Sequence, residues 1–149
     1  MKTDTKTFVT LNSREELERG YKVLKELRTE LSLSEFHAIY DQAHSRDGFQ
    51  LVAAFDSESN ITGVMGFRVL FDFVHGKHLY IDDLVTTEAM RGSGVGAQLL
   101  KEAERIAKGQ GCVALRLCTG TANERGKKFY EREGWNLRSV AYKKKLEAD

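Results

Sequence analysis

The stretch from Tyr80 to Ala103, reading YIDDLVTTEAMRGSGVGAQLLKEA, constrains this chain more than any other. An apolar strand pattern runs through a short polar turn into Arg91-Gly92-Ser93-Gly94-Val95-Gly96. A helical pattern then starts at once, with Val95, Leu99, Ala103 and Ile106 on one face. Glycines let the backbone come close to a ligand, first-turn N–H groups lack intrahelical partners, and the helix dipole adds positive potential. A strand, a glycine turn and a helix in this order are therefore expected to hold a phosphate or pyrophosphate, and to belong to a mixed α/β fold.

Phosphate motifs that share this logic differ in detail. No GxxxxGK[ST] occurs, which excludes a P-loop. Gly92-Ser93-Gly94-Val95-Gly96-Ala97 fits the dinucleotide fingerprint GxGxxA, but that motif wants an acidic residue closing the next strand. Here the next strand ends Leu117-Cys118-Thr119-Gly120. The better match is R-x-x-G-x-G, met by Arg91, Gly94 and Gly96. Between an apolar strand and a helix, it resembles the acetyl-CoA pyrophosphate loop of the GNAT family of N-acetyltransferases. Asn123 to Trp135, NERGKKFYEREGW, is similar to that family's N-x-x-A-x-x-x-Y-x-x-x-G-F pattern. Gly126 replaces the alanine and Trp135 the phenylalanine, while Glu88 stands where a proline often follows the fourth strand. Gly126 weakens its helix by about 1 kcal/mol relative to Ala and permits close approach of a ligand.

The resemblance implies a mostly antiparallel, twisted α/β sheet with helices on both faces, and strands four and five parallel and splayed around the cofactor. It implies acetyl-CoA as co-substrate, with Arg91, Gly92, Ser93, Gly94, Val95, Gly96 and Ala97 at the pyrophosphate. Leu84, Val85 and Thr86 would offer backbone groups to the pantetheine arm. Asn123 and Gly126 would sit by the cofactor, and Tyr130 would touch it as general acid to the leaving thiolate.

Acetyl transfer to an amine also needs a neutral nucleophile. An alkyl ammonium is about 4.6 kcal/mol from neutral at pH 7, so a base is useful. Asp82 and Asp83 lie on the strand before the loop. Strand side chains alternate, so adjacent carboxylates cannot both enter one cleft unless a bulge re-aims one. Leu79-Tyr-Ile-Asp-Asp83 resembles the L-Y-L-E-D segment of diamine and polyamine acetyltransferases. That likeness implies Asp82 as general base, one methylene shorter than the usual glutamate and so acting through water, and Asp83 as a binder of the cationic amine. The alternatives are a structural role for either acid, a protein or peptide acceptor in an open groove, or an acyl-CoA sensor without turnover.

The length of 149 residues suggests one domain over 1–149, and 41% hydrophobic content is enough for a core. A net charge of +1 gives no drive towards nucleic acid or acidic membranes. No stretch approaches 18 apolar residues, and the start MKTDTKTFVTLNS lacks a signal-peptide core, so a cytoplasmic protein is expected. Cys112 and Cys118 read as reduced core thiols. His37 and His44 are seven apart on a helix, and His75 and His78 flank a turn. Without a matching Cys or carboxylate spacing, no metal site is expected.

The remaining elements follow in order. Thr5 to Leu11 is a candidate first strand. Ser13-Arg-Glu-Glu16 and Ser32-Leu-Ser-Glu35 are capping boxes that start two helices. The first carries Leu17, Tyr21, Leu24 and Leu31; the second carries Phe36, Ile39, Tyr40 and Ala43. Phe36 and Tyr40 read as core residues or as one wall of an acceptor pocket. Phe49 to Asp56 and Ile61 to Val74 form an antiparallel hairpin, with Met65, Phe67, Val69, Phe71 and Phe73 on one face. Leu79 to Thr87 feeds the glycine loop, and Gly94 to Lys108 is the following helix. Cys112 to Cys118 is a strand, Asn123 to Glu133 a helix stopped by Gly134, and Trp135 to Leu146 a last strand. A free edge there is one that a second subunit would cover in a homodimer.

Overall fold

The computed structural model describes residues 7–149. The chain forms two compact units, one ending at Leu117 and one from Cys118 to Asp149. In the first, five strands are ordered β1 (Thr7–Thr10), β2 (Gln50–Phe55), β3 (Ile61–Asp72), β4 (Gly76–Thr86) and β5 (Ala114–Leu117). The first three pairings are antiparallel and β4 pairs β5 in parallel. The expected start of the first strand at Thr5 lies outside the described residues.

Both capping boxes form as the sequence predicts. Ser13 Oγ accepts from Glu16 N and opens helix α1 (Arg14–Leu24); Ser32 Oγ accepts from Glu35 N and opens α2 (Leu33–Asp47). Each satisfies orphan first-turn donors, worth about 1 kcal/mol per cap. The long α3 (Val95–Gly109) follows the glycine loop.

Two neighbouring residues of β3 show which helices cover which face. Val64, fully buried, joins a cluster with Leu17, Tyr21 and Leu24 of α1 and Phe36 and Tyr40 of α2. Gly63 points the other way: a Cβ there would lie 2.8 Å from Val95 and 3.0 Å from Leu99 of α3. The sheet thus carries helices on both faces. Leu11, Leu51 and Val64 are wholly excluded from solvent, and each such side chain contributes about 1.5–3 kcal/mol.

Three expectations are corrected. Phe71 and Phe73, read as part of one apolar face of a strand reaching Val74, are 74% and 108% exposed, and Phe73 lies past the end of β3 at Asp72. Cys118 is exposed and Cys112 only partly buried, so these free thiols are not core residues. Trp135 to Leu146 carries no strand. A strand needs a hydrogen-bonded neighbour, and the apolar residues of this run, Leu137, Val140, Tyr142 and Leu146, break the period of two and are exposed. The second unit's regular element is α4 (Glu124–Arg132), closed at Gly134 with φ +93°.

Candidate active site

The geometry of the site begins with a register slip. Gly66 of β3 pairs Asp83 of β4, but the next β3 residue, Phe67, pairs Ile81. Asp82 is the extra residue of a bulge. This is the irregularity that two adjacent acids require, and both carboxylates line one cavity of about 360 Å³. Leu24 and Arg28, with Phe36, Ile39 and Tyr40 of α2, form its opposite wall. Phe36 and Tyr40 are therefore core and pocket residues at once.

Neither acid is bare. Arg68 grips Asp82 with two bonds, Nε to Oδ2 at 3.1 Å and Nη2 to Oδ1 at 2.7 Å, and reaches Asp47 with Nη1 at 3.3 Å. Arg28 donates Nε to Asp83 Oδ1 at 2.8 Å and Nη2 to the Asp82 carbonyl at 3.0 Å. Burial raises the Asp82 carboxyl above its usual range, against the opposing pull of Arg68. Each bonded carboxylate oxygen keeps a second lone pair, so Asp82 retains proton-accepting capacity. The sequence reading missed both arginines. For Arg68 a signal existed: it is a lone charge inside the run Met65 to Phe71.

The bulge also marks where the sheet opens. Pairing of β4 with β5 ends at Ile81 and Leu117, while pairing with β3 continues to Thr86. Leu84, Val85 and Thr86 thus keep one edge of backbone N–H and C=O groups unpaired by β5, the splay the resemblance implies. Val85 is buried and turns its side chain into the α1 core, so its main chain is what it offers a ligand.

After β4, a single helical turn at Glu88–Met90 leads into Arg91. Gly92 and Gly94 take φ of +82° and +92°, a region L-residues rarely adopt. Gly94 caps α3 without a side-chain bond, and the first turn carries no acidic residue. The first helical bond is Gln98 N–H to the Gly94 carbonyl at 3.0 Å. The N–H groups of Val95, Gly96 and Ala97 therefore lack intrahelical partners and share the positive end of a 15-residue helix. Arg91 and Ser93 are exposed beside them, and Ser93 Oγ donates to the Met90 carbonyl. Arg91 forms no ion pair among the described residues.

In the second unit, Asn123 is the N-cap of α4. Its Oδ1 accepts from Gly126 N at 3.0 Å and its Nδ2 donates to Thr119 Oγ1 at 2.9 Å. A Cβ on Gly126 would overlap Asn123 Nδ2. The glycine in the alanine slot is thus explained locally, as room for the capping amide. Tyr130 is partly buried, with its ring against Phe129 and Trp135, and burial lifts its hydroxyl above the ordinary tyrosine range. It is therefore protonated at neutral pH, as a proton donor must be.

The fold, the open β4 edge and the glycine cradle define an acyl-CoA transferase, and comparison with known proteins makes the family explicit. The model of the acetyltransferase (GNAT) family matches residues 14–135. The chain belongs to that family, and is an acyltransferase with acetyl-CoA as donor. It is 29% identical to the uncharacterized N-acetyltransferase YhdJ of Bacillus subtilis, over 90% of this chain and 94% of that one. It is 27% identical to the thialysine N-epsilon-acetyltransferase of Mus musculus, over 76% and 80% of the two chains. Among solved structures, aminoglycoside N-acetyltransferase AAC(6')-Iy in complex with CoA superposes with a TM-score of 0.82, at 18% identity, over 97% of this chain and 98% of that one. No helix among the described residues is long and apolar enough to cross a membrane.

Proposed function

We propose that residues 1–149 act as one N-acetyltransferase domain that passes the acetyl group of acetyl-CoA directly to a primary amine on a small cationic metabolite. The observation that carries this reading is the bulge at Asp82, which sets two carboxylates on a cavity sized for a small molecule, beside the unpaired edge of β4. The curated names of relatives support an amine acceptor, thialysine among them.

In this reading the acceptor amine lies in the cavity near Asp83 and gives up a proton through water to Asp82. Its nitrogen lone pair attacks the thioester carbonyl carbon. The C–S bond breaks, and the thiolate takes a proton from Tyr130, which holds that role by its motif position; the nitrogen's second proton leaves through water and restores the Tyr130 hydroxyl. Backbone groups of Leu84 to Thr86 hold the pantetheine arm and polarise the carbonyl. Arg91 and the N–H groups of Val95 to Ala97 hold the pyrophosphate.

A second acceptor reading rests on Arg28. Its side chain is 48% exposed and lines the same cavity. Its guanidinium spends Nε and Nη2 on Asp83 and Asp82 and keeps Nη1 for a carboxylate, which favours an amino-acid acceptor. Thiol release from acetyl-CoA with putrescine, spermidine, lysine and cadaverine tests both. Turnover on the diamines supports the first reading. Turnover on lysine but not cadaverine, which lacks only the carboxylate, supports the second. Acetyl-CoA binding without turnover on any small amine points instead to a protein acceptor or a sensor.

A further inference from the structure

A second polar cluster lies at the β3–β4 turn, on the first unit and outside the cavity. Asp72 ends β3, His75 sits in the turn, and His78 is on β4. Each offers one ligand atom, and these atoms all lie within 4.8 Å of one another. His75 Nδ1 is 3.0 Å from both Asp72 carboxylate oxygens, and its backbone N–H donates to Asp72 Oδ1 at 2.6 Å. The turn thus holds the carboxylate in place through main-chain bonding.

His78 supplies the independent observation. Its side chain is fully buried, and its Nδ1 lies 3.0 Å from the Gly76 carbonyl. A carbonyl only accepts, so Nδ1 carries a proton, and in the neutral ring Nε2 presents a lone pair. That Nε2 is buried and has no hydrogen-bond partner. It faces Asp72 Oδ2 across 3.9 Å. The neutral ring thus turns a lone pair on a buried atom towards a partly exposed carboxylate, an arrangement that costs energy unless a cation stands between them. The bond from Nδ1–H to a backbone carbonyl is also the usual outer contact of a metal-binding histidine, fixing the tautomer and the ring.

We infer that Asp72, His75 and His78 form a binding site for a divalent transition-metal ion of the zinc type. Two imidazole nitrogens and one carboxylate oxygen are the donors such ions select over magnesium or calcium. Ligand atoms on one tetrahedral zinc ion stand roughly 3.3 Å apart, given bonds of about 2.0–2.2 Å. The 3.9 Å gap closes to that value with a sub-ångström shift, and His75, on a turn, is free to follow. Water completes the fourth position. The ion joins the end of β3 to the start of β4, so its effect is to clamp this hairpin. This corrects the reading of His75 and His78 as lacking a carboxylate partner: Asp72 stands three residues before His75, across the turn.

The test uses the full chain, free of any affinity tag and stripped with chelator. Zinc chloride is titrated calorimetrically, and cobalt(II) is followed by its visible d–d absorption. The expected result is one saturable site, the absorption of a low-coordinate cobalt ion, and a melting temperature raised by about 5–10 °C at saturating zinc. Asp72→Asn keeps an oxygen for the His75 N–H but loses the anionic ligand, and His75→Ala removes a turn side chain. Each should weaken zinc binding by about tenfold or more while acetyl-CoA still binds, which shows the variant to be folded. No saturable zinc binding overturns the inference. So does binding that both variants retain, which would place the ion elsewhere.

Discussion

Replacing Arg68 with methionine tests the electrostatic design of the cavity. Methionine keeps much of the stem's volume but removes the guanidinium that holds Asp82 with bonds of 2.7 and 3.1 Å. Breaking a fully buried ion pair costs about 3–5 kcal/mol. The Arg68 and Asp82 side chains are 27% and 20% exposed, so water recovers part of this and about 2 kcal/mol remains near pH 7. The loss should appear as a fall of about 1 M in the urea midpoint. The sign of its pH dependence follows from Asp82. Burial already raises that carboxyl, and Arg68 opposes the rise. Without Arg68 it rises further. A folded-state value above the unfolded 3.8 means stability that is present at low pH and lost as pH climbs through the folded value. The deficit of Arg68→Met should therefore be largest near neutrality and shrink towards about pH 4. Asp83 and Arg28 face the same carboxylate in both proteins; Asp47 loses its 3.3 Å bond to Arg68, but its side chain is 49% exposed and water replaces most of that contact. The double variant Arg68→Met, Asp82→Asn strands only the half-exposed Asp47 and should recover most of the loss. A deficit that is equal at both pH values, or undiminished in the double variant, refutes the reasoning.

Asp82→Asn should lower kcat by about 10²-fold or more and remove the rise of kcat/KM with pH that Asp82 controls, leaving the acceptor amine's own ionisation; an unaltered profile moves the base elsewhere. Tyr130→Phe should lower kcat by a similar factor with little change in the KM for acetyl-CoA, and a wild-type rate would remove its role as acid. Gly94→Trp places a large side chain at a φ of +92° in the mouth of the anion cradle; calorimetry should show acetyl-CoA binding lost, and unchanged affinity would refute the site. Gly66→Ala would bring a Cβ within 2.6 Å of Phe49 Cζ and 3.1 Å of Asp83 Oδ2. It should cost about 1–3 kcal/mol and raise the KM for the amine but not for acetyl-CoA; equal effects on both would show a general loss of structure.

What the sequence revealed depended on how local the controlling physics was. Capping boxes act within four residues, and Ser13 and Ser32 open their helices as read. The glycine cradle is equally local, since Gly92 and Gly94 take positive φ wherever the rest of the chain lies. Asp82 and Asp83 were legible as candidates, but their partners were not. Arg28 is 55 residues from Asp83, and Arg68 is 14 from Asp82 across an antiparallel pairing. Such contacts depend on register, which a one-residue bulge resets. Asp72 and His75, three apart in one turn, were legible but went unread; the long-range limit misled the reading of residues 135–146, where an apolar count stood in for a pairing partner.

The bulge links chemistry to fold more directly than either acid alone. Asp82 enters as an extra residue, and a bulge sharpens the local twist of its strand. In that same place β4 parts from β5, after Ile81 and Leu117. One inserted residue thus opens the backbone edge that a pantetheine arm needs and turns two neighbouring carboxylates towards a common cavity. The opposing residue, Gly66, has no side chain to fill that space, and Phe49 packs where a Cβ would stand. The arginines then make the arrangement tolerable, because two carboxylates this close repel unless positive charge stands beside them. Arg68 bonds the Asp82 carboxylate and Arg28 that of Asp83, so each acid at the wall of the cavity has its own guanidinium. In the proposed reading, a carboxylate base held beside an open strand edge is what transfer to an amine asks of this fold.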